Sequence, residues 1–392
     1  MSAETPQLNH SDNKNNDTVP KNEAAWLLAQ HGLLEVKEAP FTKPGAGEIL
    51  VRNHAVAVNP IDWMIPYLGK RLFPWIKYPF VLGFDLAGKV VAIGKGVTNV
   101  KVGDRVLALA GGSVKQRNRA AEGAFQTYPI VLSHLTTVLP DHLSYVDAAV
   151  IPLGLSTAAC GLFQKDALAL NLPTIDTKPL NQWVVISGGA TSVGCNAIQL
   201  AVAAGYSVVT TASPKNFNYV RSLGAAIVFD YNSKEIVNDM IVALEGKYIA
   251  GALSIGAGST ETCIDVLAQC EGRKFVANVS SAVSFDTIPE GRGITFPVIL
   301  KLIPNILASS IKIWLKSRLK GVTAKFYDSS SMVDNEIGKY IFHDYLGKAL
   351  STGTFQAAPK PKIVGTSLHD IQGAFEIQRR GVSAAKVVVD LT

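Results

Sequence analysis

A strand, a turn of small residues and a helix follow one another in the middle of the chain, and this unit constrains the fold most strongly. Residues 182–187 (QWVVIS) form an apolar run typical of a buried strand, and the turn GGATSVG occupies residues 188–194. A helical pattern of small residues follows at 195–205, and a second apolar run, YSVVTTA, occupies residues 206–212. This order predicts a β-α-β unit with two parallel strands.

The same alternation continues downstream and predicts a larger parallel sheet. The segment FNYVRSLGAAIVFDY adds a helix and a strand, and GALSIGAG and RKFVANVS are later strand candidates. Strands alternating with helices are typical of a doubly wound α/β fold. Residues 48–139 differ, because short strands separated by glycines predict a barrel-like β domain there. Residues 143–164 read as one small-residue helix, and the closing AKVVVDL reads as a strand.

Charge and cysteine content exclude several classes of protein. Only 17% of the 392 residues are charged, which excludes a mainly disordered chain. The net charge is +6, but the basic residues are scattered and lack an aromatic-studded stripe, so we expect no nucleic-acid partner. Four cysteines are too few and too widely spaced for a disulfide scaffold. We therefore expect a reducing, cytoplasmic location.

The sequence offers no clear membrane-spanning or targeting segment. Residues 1–20 are polar and lack an apolar core, so we predict a disordered tail there. The longest apolar stretch, residues 294–315, is interrupted by Lys301, Pro304 and Lys312. Because a membrane span requires ~20 largely uncharged residues, we predict a buried or pocket-lining helix and no membrane partner.

The GGATSVG turn is a candidate phosphate-binding site. Its small side chains would let backbone N–H groups approach a pyrophosphate at the positive end of the following helix. The spacing differs from G-x-G-x-x-G, and a generic tight turn is the alternative interpretation. Its position directly after a buried strand favours a dinucleotide.

The end of the second strand indicates which dinucleotide is bound. An NAD site usually carries an acidic residue about 20 residues after the turn, but no acidic residue occurs between Cys195 and Phe229. The strand instead leads into Ser213-Pro-Lys-Asn216. A hydroxyl, an ammonium and an amide can bind a 2′-phosphate, which predicts NADPH. A generic polar turn is the alternative.

Several motifs, in this order, resemble the medium-chain dehydrogenase/reductase superfamily. They are VNPID at residues 58–62, the glycine-rich segment 78–106, GAFQTY at 123–128 and AAVIPLGLSTA at 148–158, followed by GGATSVG. Within that superfamily the chain is most similar to zinc-free quinone oxidoreductases and fungal trans-acting enoyl reductases. The resemblance implies an α/β protein with a GroES-like β-rich catalytic domain and a doubly wound Rossmann domain.

The resemblance also implies domain boundaries and a cofactor wall. The GroES-like domain would comprise residues 21–152 and 330–392, and the Rossmann NADPH-binding domain residues 153–329. From the nicotinamide to the adenosine 2′-phosphate, the implied cofactor-binding residues are Asn59, Pro60, Ile61, Asp62, Thr157, Ala190, Thr191, Ser192, Val193, Gly194, Ser213, Pro214, Lys215, Asn216 and Tyr231. Five further wall residues are implied by looser local similarity: Ser254, Ile255, Val279, Val382 and Ser383.

The chain departs from the zinc-dependent members of that superfamily at both ligand positions. Those members carry a cysteine near the position of Val58 and Asn59, and Gly-His-Glu where this chain has Gly83-Phe84-Asp85. No cysteine precedes Cys160, so the structural-zinc cluster is also missing. A phenylalanine cannot ligate a metal, and we expect no metal site.

A metal-free member is suited to a particular reaction. We expect hydride transfer from NADPH to a conjugated carbon–carbon double bond, in an enone or enoyl thioester, or to a quinone. The substrate would be a small apolar or aromatic electrophile.

Tyr67 is a candidate catalytic proton donor, with packing in the pocket wall as the alternative. The competing function is a non-catalytic NADPH-binding protein that acts in trans or as a sensor. A polyketide synthase is a candidate partner, and the chain would be a monomer or a homodimer.

Overall fold

The computed structural model describes residues 20–280 and 296–392, with the side chains of the second range described from residue 304 onward. Except for Pro20, the predicted tail at residues 1–20 lies outside the described residues.

The described ranges contain sixteen strands and eleven α-helices. The strands are β1 (Asn22–Leu27), β2 (Leu34–Ala39), β3 (Glu48–Val58), β4 (Phe80–Val81), β5 (Asp85–Ile93), β6 (Arg105–Leu109), β7 (Ile130–Leu132), β8 (Thr136–Val138), β9 (Trp183–Ile186), β10 (Ser207–Ala212), β11 (Ala225–Asp230), β12 (Ile249–Ser254), β13 (Phe275–Asn278), β14 (Thr323–Phe326), β15 (Lys360–Gly365) and β16 (Ala385–Asp390). The helices are α1 (Pro60–Leu68), α2 (Tyr145–Ala148), α3 (Pro152–Phe163), α4 (Ser192–Ala203), α5 (Phe217–Ser222), α6 (Ile236–Ala243), α7 (Ser259–Gln269), α8 (Phe296–Lys320), α9 (Glu336–Lys339), α10 (Leu346–Thr352) and α11 (Ile371–Arg379).

Strands β9 to β14 form one parallel sheet, as the alternating pattern predicts. The strand order is β11-β10-β9-β12-β13-β14, and each neighbouring pair is parallel. The chain builds outward from β9 in one direction and then returns to continue from β12 in the other. This reversal creates a crevice at the carboxyl ends of β9 and β12, where open α/β sheets bind their ligands.

The parallel sheet is covered by helices on both faces. Val184 and Ile186 of β9 belong to the same buried cluster as Ile198 of α4, whereas Val185 belongs to a second cluster with Ile264 of α7. Successive side chains of a strand point to opposite faces, so one apolar run serves both layers. Full burial of each such side chain stabilises the fold by ~1.5–3 kcal/mol. The doubly wound α/β prediction is confirmed.

The remaining strands form two further sheets that use both ends of the chain. One sheet has the order β15-β16-β3-β5-β6-β8, with β7 also paired to β3, and the smaller one has the order β2-β1-β4. Strand β16 lies between β15 and β3 and pairs Val387 with Val58. The N-terminal and C-terminal segments therefore share one sheet. The predicted domain boundaries, residues 152/153 and 329/330, stay predictions.

The helix predicted over residues 143–164 is interrupted. The structure has two helices there, α2 and α3, and Pro152 occupies the first turn of the second one. Proline lacks the N–H that would continue a helix, but it fits a helix start. Residues Tyr145–Phe163 are long and apolar enough to cross a membrane, yet 83% of this stretch is buried inside the protein. Helix α3 of this stretch is a core element that contacts both the parallel sheet, at β13, and the sheet that contains β5 and β6.

Helix α8 differs from the prediction of a buried or pocket-lining helix for residues 294–315. It packs against α7 and β14, but many of its large apolar side chains are exposed. Ile294 and Thr295 lie outside the described residues. The apolar spacing identifies an amphipathic helix without indicating which face the protein covers.

Candidate functional site

The GGATSVG turn connects β9 to α4 at the crevice. Gly188 has a left-handed φ of 66°, and the Thr191 side chain accepts a hydrogen bond from Gly194 N at 3.0 Å as the helix cap. A Cβ on Gly194 would lie 2.2 Å from the Gly188 carbonyl oxygen. The turn is thus tight enough to require small residues. The N–H groups of the first turn of α4 lack intrahelical partners and can bind an anion.

The other residues of the turn lie at the start of the same helix. Ala190, Ser192 and Val193 are partly buried, and Thr191 is exposed. The helix α3 approaches closely here, since a Cβ on Gly154 would lie 2.5 Å from Ser192 Oγ. Thr157, one turn further along α3, donates its hydroxyl to the Leu153 carbonyl at 2.9 Å.

The predicted 2′-phosphate residues cluster beyond the carboxyl end of β10. Residues Pro214–Asn216 form a short 3₁₀ helix, and Asn216 Nδ2 donates to Ser213 Oγ at 3.1 Å. Asn216 Nδ2 also lies 3.2 Å from Ser383 Oγ. Two groups separated by 167 residues are therefore brought together, one from the parallel sheet and one from the C-terminal segment. Lys215 is exposed at this place, and Val382, which precedes Ser383 in the chain, is partly buried.

The neighbouring strand ends contribute the rest of the predicted wall. Tyr231 follows β11 directly and is exposed. Ile255 and Val279 are buried beside the turn, where Ser187 Oγ accepts the Ile255 N–H at 2.7 Å and Ser254 O accepts the Val279 N–H at 3.1 Å. The strand ends of β9, β12 and β13 therefore form one continuous backbone edge.

The NPID segment forms the start of α1. Pro60 is exposed, Ile61 is partly buried, and Asn59 and Asp62 are buried. Asp62 Oδ2 accepts the Asn59 N–H at 2.8 Å and closes a reciprocal cap. Burial raises the pKa of Asp62 to about 8, an effect that the Asn59 hydrogen bond and the Lys386 charge only partly offset. The carboxyl group is therefore largely protonated at neutral pH.

A buried ammonium group that the sequence analysis missed lies between the predicted elements. Lys386 Nζ lies 2.9 Å from Asp85 Oδ2, donates to Asn59 Oδ1 and lies 3.5 Å from Ser192 Oγ. Asp85 is fully buried, and it also accepts the Leu153 N–H at 2.6 Å and the Asn59 amide at 2.8 Å. One lysine thus links β16, the NPID segment and the pyrophosphate turn. The only sequence signal for this contact is one cation inside the valine-rich β16.

This ammonium lies between the two segments that supply zinc ligands in zinc-dependent alcohol dehydrogenases. The groups present here are the Phe84 ring, the Asp85 carboxylate, the Asn59 amide and the Lys386 ammonium. An ammonium has no lone pair for a metal, and one carboxylate cannot hold zinc alone. The residues present therefore do not fit a catalytic zinc ion.

Tyr67 lies near the end of α1 and is buried. Its hydroxyl donates to Glu376 Oε1 of α11 at 3.3 Å, and its ring packs edge-on against Trp63 with centroids 5.8 Å apart. The role of Tyr67 as a proton donor stays a prediction.

The buried thiols are poor nucleophiles, because burial raises the pKa of Cys160 and Cys195 to about 12.

Comparison with known proteins identifies the family. Residues 45–141 match the alcohol dehydrogenase GroES-like domain. A dehydrogenase of Monascus ruber, pigH, is 50% identical over 375 residues, which cover 95% of this chain and 100% of the relative. The chain belongs to the medium-chain dehydrogenase/reductase superfamily.

A further relative supports an oxidoreductase, and two solved structures share the fold. The trans-enoyl reductase himH of Aspergillus japonicus is 34% identical, covering 95% of this chain and 98% of the relative. The quinone oxidoreductase of Coxiella burnetii shares the fold, with a TM-score of 0.64 and 21% identity over 95% of this chain and 100% of the neighbour. A mycobacterial protein solved with NADPH also shares the fold, with a TM-score of 0.64 and 22% identity over 94% of this chain and 99% of the neighbour. The chain is an oxidoreductase of this superfamily with a GroES-like domain and a Rossmann sheet.

Proposed function

We propose that this oxidoreductase is metal-free, uses NADPH and reduces conjugated carbon–carbon double bonds or quinones. The observation that carries the proposal is the meeting of Ser213, Asn216 and Ser383 beyond β10, where the adenosine ribose of a dinucleotide would lie. The exposed Lys215 directly precedes Asn216 in the same short helix. These side chains offer hydroxyl, ammonium and amide donors to a phosphate. A carboxylate, which would favour the 2′-hydroxyl of NADH, is lacking from residues 195–229.

The pyrophosphate would bind at the start of α4. The turn Gly188–Gly194 supplies backbone N–H groups, and Lys386 places a positive charge next to Ser192. Both features favour an anion at this end of the crevice.

Because the described residues around Lys386 do not fit a catalytic zinc ion, the proposed reaction is hydride transfer to activated acceptors. Reduced nicotinamide, when bound, supplies a hydride. Without a Lewis acid, the acceptor carbon must be activated by a carbonyl group conjugated to it in the substrate. The buried side chains around Asn59 and Asp85 would hold the walls of the crevice rigid and exclude water from it. An enone, enoyl thioester or quinone meets this requirement, in agreement with the relative named trans-enoyl reductase.

The preference for NADPH over NADH is tested by reversing the charge of Lys215, in the turn after β10. We expect the purified chain to oxidise NADPH in preference to NADH, and Lys215→Glu to raise the KM for NADPH by roughly tenfold or more while changing the KM for NADH little. The matched control is Lys178→Glu, since Lys178 is exposed and adjoins Gly205 before the start of β10, at the opposite end of the strand. Equal use of both cofactors, or equal effects of the two variants, would contradict the NADPH assignment.

The substrate class is tested separately with a panel of enones, enoyl thioesters and quinones. We expect NADPH oxidation with at least one conjugated acceptor and none with simple ketones. Tight NADPH binding without oxidation of any acceptor would favour the non-catalytic alternative.

Metal analysis after dialysis checks the metal-free claim, and one zinc ion per chain would overturn it. A cytoplasmic location and a polyketide synthase as partner are further proposals.

A further inference from the structure

Helix α8 presents an apolar stripe to solvent over its C-terminal half. The exposed members of this stripe are Leu307, Ile311, Trp314, Leu315 and Leu319. Their spacing of three and four residues places them on one side of the helix, over a length of about 18 Å. Leu319 is 85% exposed and Trp314 is 57% exposed. Such a row of large apolar side chains is unusual on a solvent-exposed surface.

Two exposed basic residues of the same helix, Lys312 and Arg318, lie beside the stripe residues. The helix contains Lys301, Lys312, Lys316, Arg318 and Lys320 and no acidic residue. Arg318 is exposed, and its guanidinium lies 5.8 Å from the centre of the Trp314 ring. The Lys312 side chain is 69% exposed. The outer side of α8 therefore combines apolar side chains with positive charge.

The opposite side of α8 is held by the protein and sets the orientation of the helix. Lys316 and Lys320 pair with Asp265 of α7, the latter at 3.1 Å. Lys312 lies 3.7 Å from Glu261, and Ile313 packs against the buried cluster beneath the sheet. The ion pairs of Lys316 and Lys320 thus face α7, and the apolar stripe faces away from it. Lys312 lies at the border between the two sides, because it is near Glu261 but its side chain is 69% exposed.

We propose that the stripe Leu307–Leu319 docks this protein on an anionic lipid surface. A helix with Trp and Leu on one face and cations beside it binds the boundary between lipid headgroups and acyl chains. The apolar side chains would enter this boundary, and Lys312 and Arg318 would contact the negatively charged headgroups. This proposal differs from the sequence-based expectation of no membrane partner. It concerns attachment to a membrane surface and not a membrane span.

A lipid surface fits the stripe better than a second copy of the chain does. Two copies meeting at α8 would bring Arg318 and Lys312 against the same cations, and the helix offers no acidic residue to neutralise them. An acidic protein would additionally need a groove shaped for a protruding helix, whereas a fluid lipid layer adapts to it. The proposal does not rest on the proposed reductase function.

The test is sedimentation of the full-length chain with vesicles. We expect binding to mixed phosphatidylserine and phosphatidylcholine vesicles, weaker binding as salt is raised, and little binding to phosphatidylcholine alone. Ile311→Ser/Leu319→Ser should weaken binding at least about tenfold per side chain. Lys312→Glu/Arg318→Glu should weaken it at least about fivefold per residue. The control is Val242→Ser on α6, a 71% exposed position outside the stripe, which should bind like the wild type.

Four results would overturn the proposal. They are no binding to phosphatidylserine vesicles, binding that the Ile311→Ser/Leu319→Ser variant retains, a stripe-dependent dimer without lipid, and stripe-dependent binding to polyglutamate without vesicle binding. The third result would assign the stripe to a second copy, and the fourth to an acidic protein surface. Thermal unfolding checks that each variant is folded, which is expected because all five substituted side chains are exposed.

Discussion

At the scale of single residues, Lys386 is a buried charged side chain that depends on its partners in the crevice. Its ammonium is buried against the fully buried Asp85, so each charge depends on the other. Burying a lone charge is costly, whereas a buried pair with further hydrogen bonds is tolerated. Asn59 and Leu153 supply those additional hydrogen bonds to Asp85.

Removing the ammonium leaves Asp85 buried without a counter-charge. We expect Lys386→Met to lower the free energy of unfolding by about 3–5 kcal/mol, measured by urea unfolding. Lys325→Met breaks the exposed pair with Asp166 and should lower the free energy of unfolding far less than Lys386→Met does. The double variant Lys386→Met/Asp85→Asn should recover part of the loss. A Lys386→Met variant as stable as Lys325→Met would disprove this role.

Asp62 gives the fold a dependence on pH. Its pKa is raised by burial to about 8 in the folded protein, above its value near 4 in the unfolded chain. The folded state therefore binds more protons between these values, and stability falls as pH rises from about 4 to about 8. We expect Asp62→Asn, which keeps the oxygen that accepts the Asn59 N–H, to remove this decline.

The measurement for Asp62 is the free energy of unfolding of wild type and Asp62→Asn across this pH range. The difference in favour of the variant should grow with pH, by on the order of a few kcal/mol at alkaline pH. A constant difference would show that Asp62 does not titrate in this range.

At the scale of elements, the β9–α4 turn is closely packed and is the proposed anion-binding site. We expect Gly194→Ala to weaken dinucleotide binding strongly and to lower stability, because the new Cβ would lie 2.2 Å from a backbone oxygen. Gly373→Ala on α11 is the matched control, since its Cβ would meet no atom within 4 Å. This control should stabilise the helix by about 0.5–1 kcal/mol. Thermal unfolding and cofactor titration distinguish the two variants, and equal behaviour would refute the packing argument.

Elements with a strong local signal were predicted correctly, and elements defined by distant contacts were not. The run QWVVIS and the small-residue turn identify β9 and α4 because burial on two faces leaves a continuous apolar segment. The prediction of a buried or pocket-lining helix for residues 294–315 was wrong, because hydrophobic periodicity identifies an apolar face but not what covers it. The break at Pro152 was readable from the sequence, since proline interrupts a helix.

At the scale of the whole molecule, the architecture was accessible from motifs and the assembly of the crevice was not. The order of NPID, the glycine-rich segment and GGATSVG indicated both domains and most of the candidate wall. The contact of Asn216 with Ser383 and that of Lys386 with Asp85 join residues 167 and 301 positions apart. No periodicity or spacing rule reports a pair at such a separation, so Lys386 could only be found in three dimensions.

The placement of β16 between β15 and β3 has a consequence for synthesis. The sheet whose strand β3 leads into NPID lacks one of its inner strands until residue 390 has left the ribosome. Until then the GGATSVG turn also lacks its contact with Lys386. The parallel sheet of residues 183–326 is complete much earlier and can fold while translation continues. The crevice is thus assembled last, so a nascent chain lacks the complete proposed cofactor site.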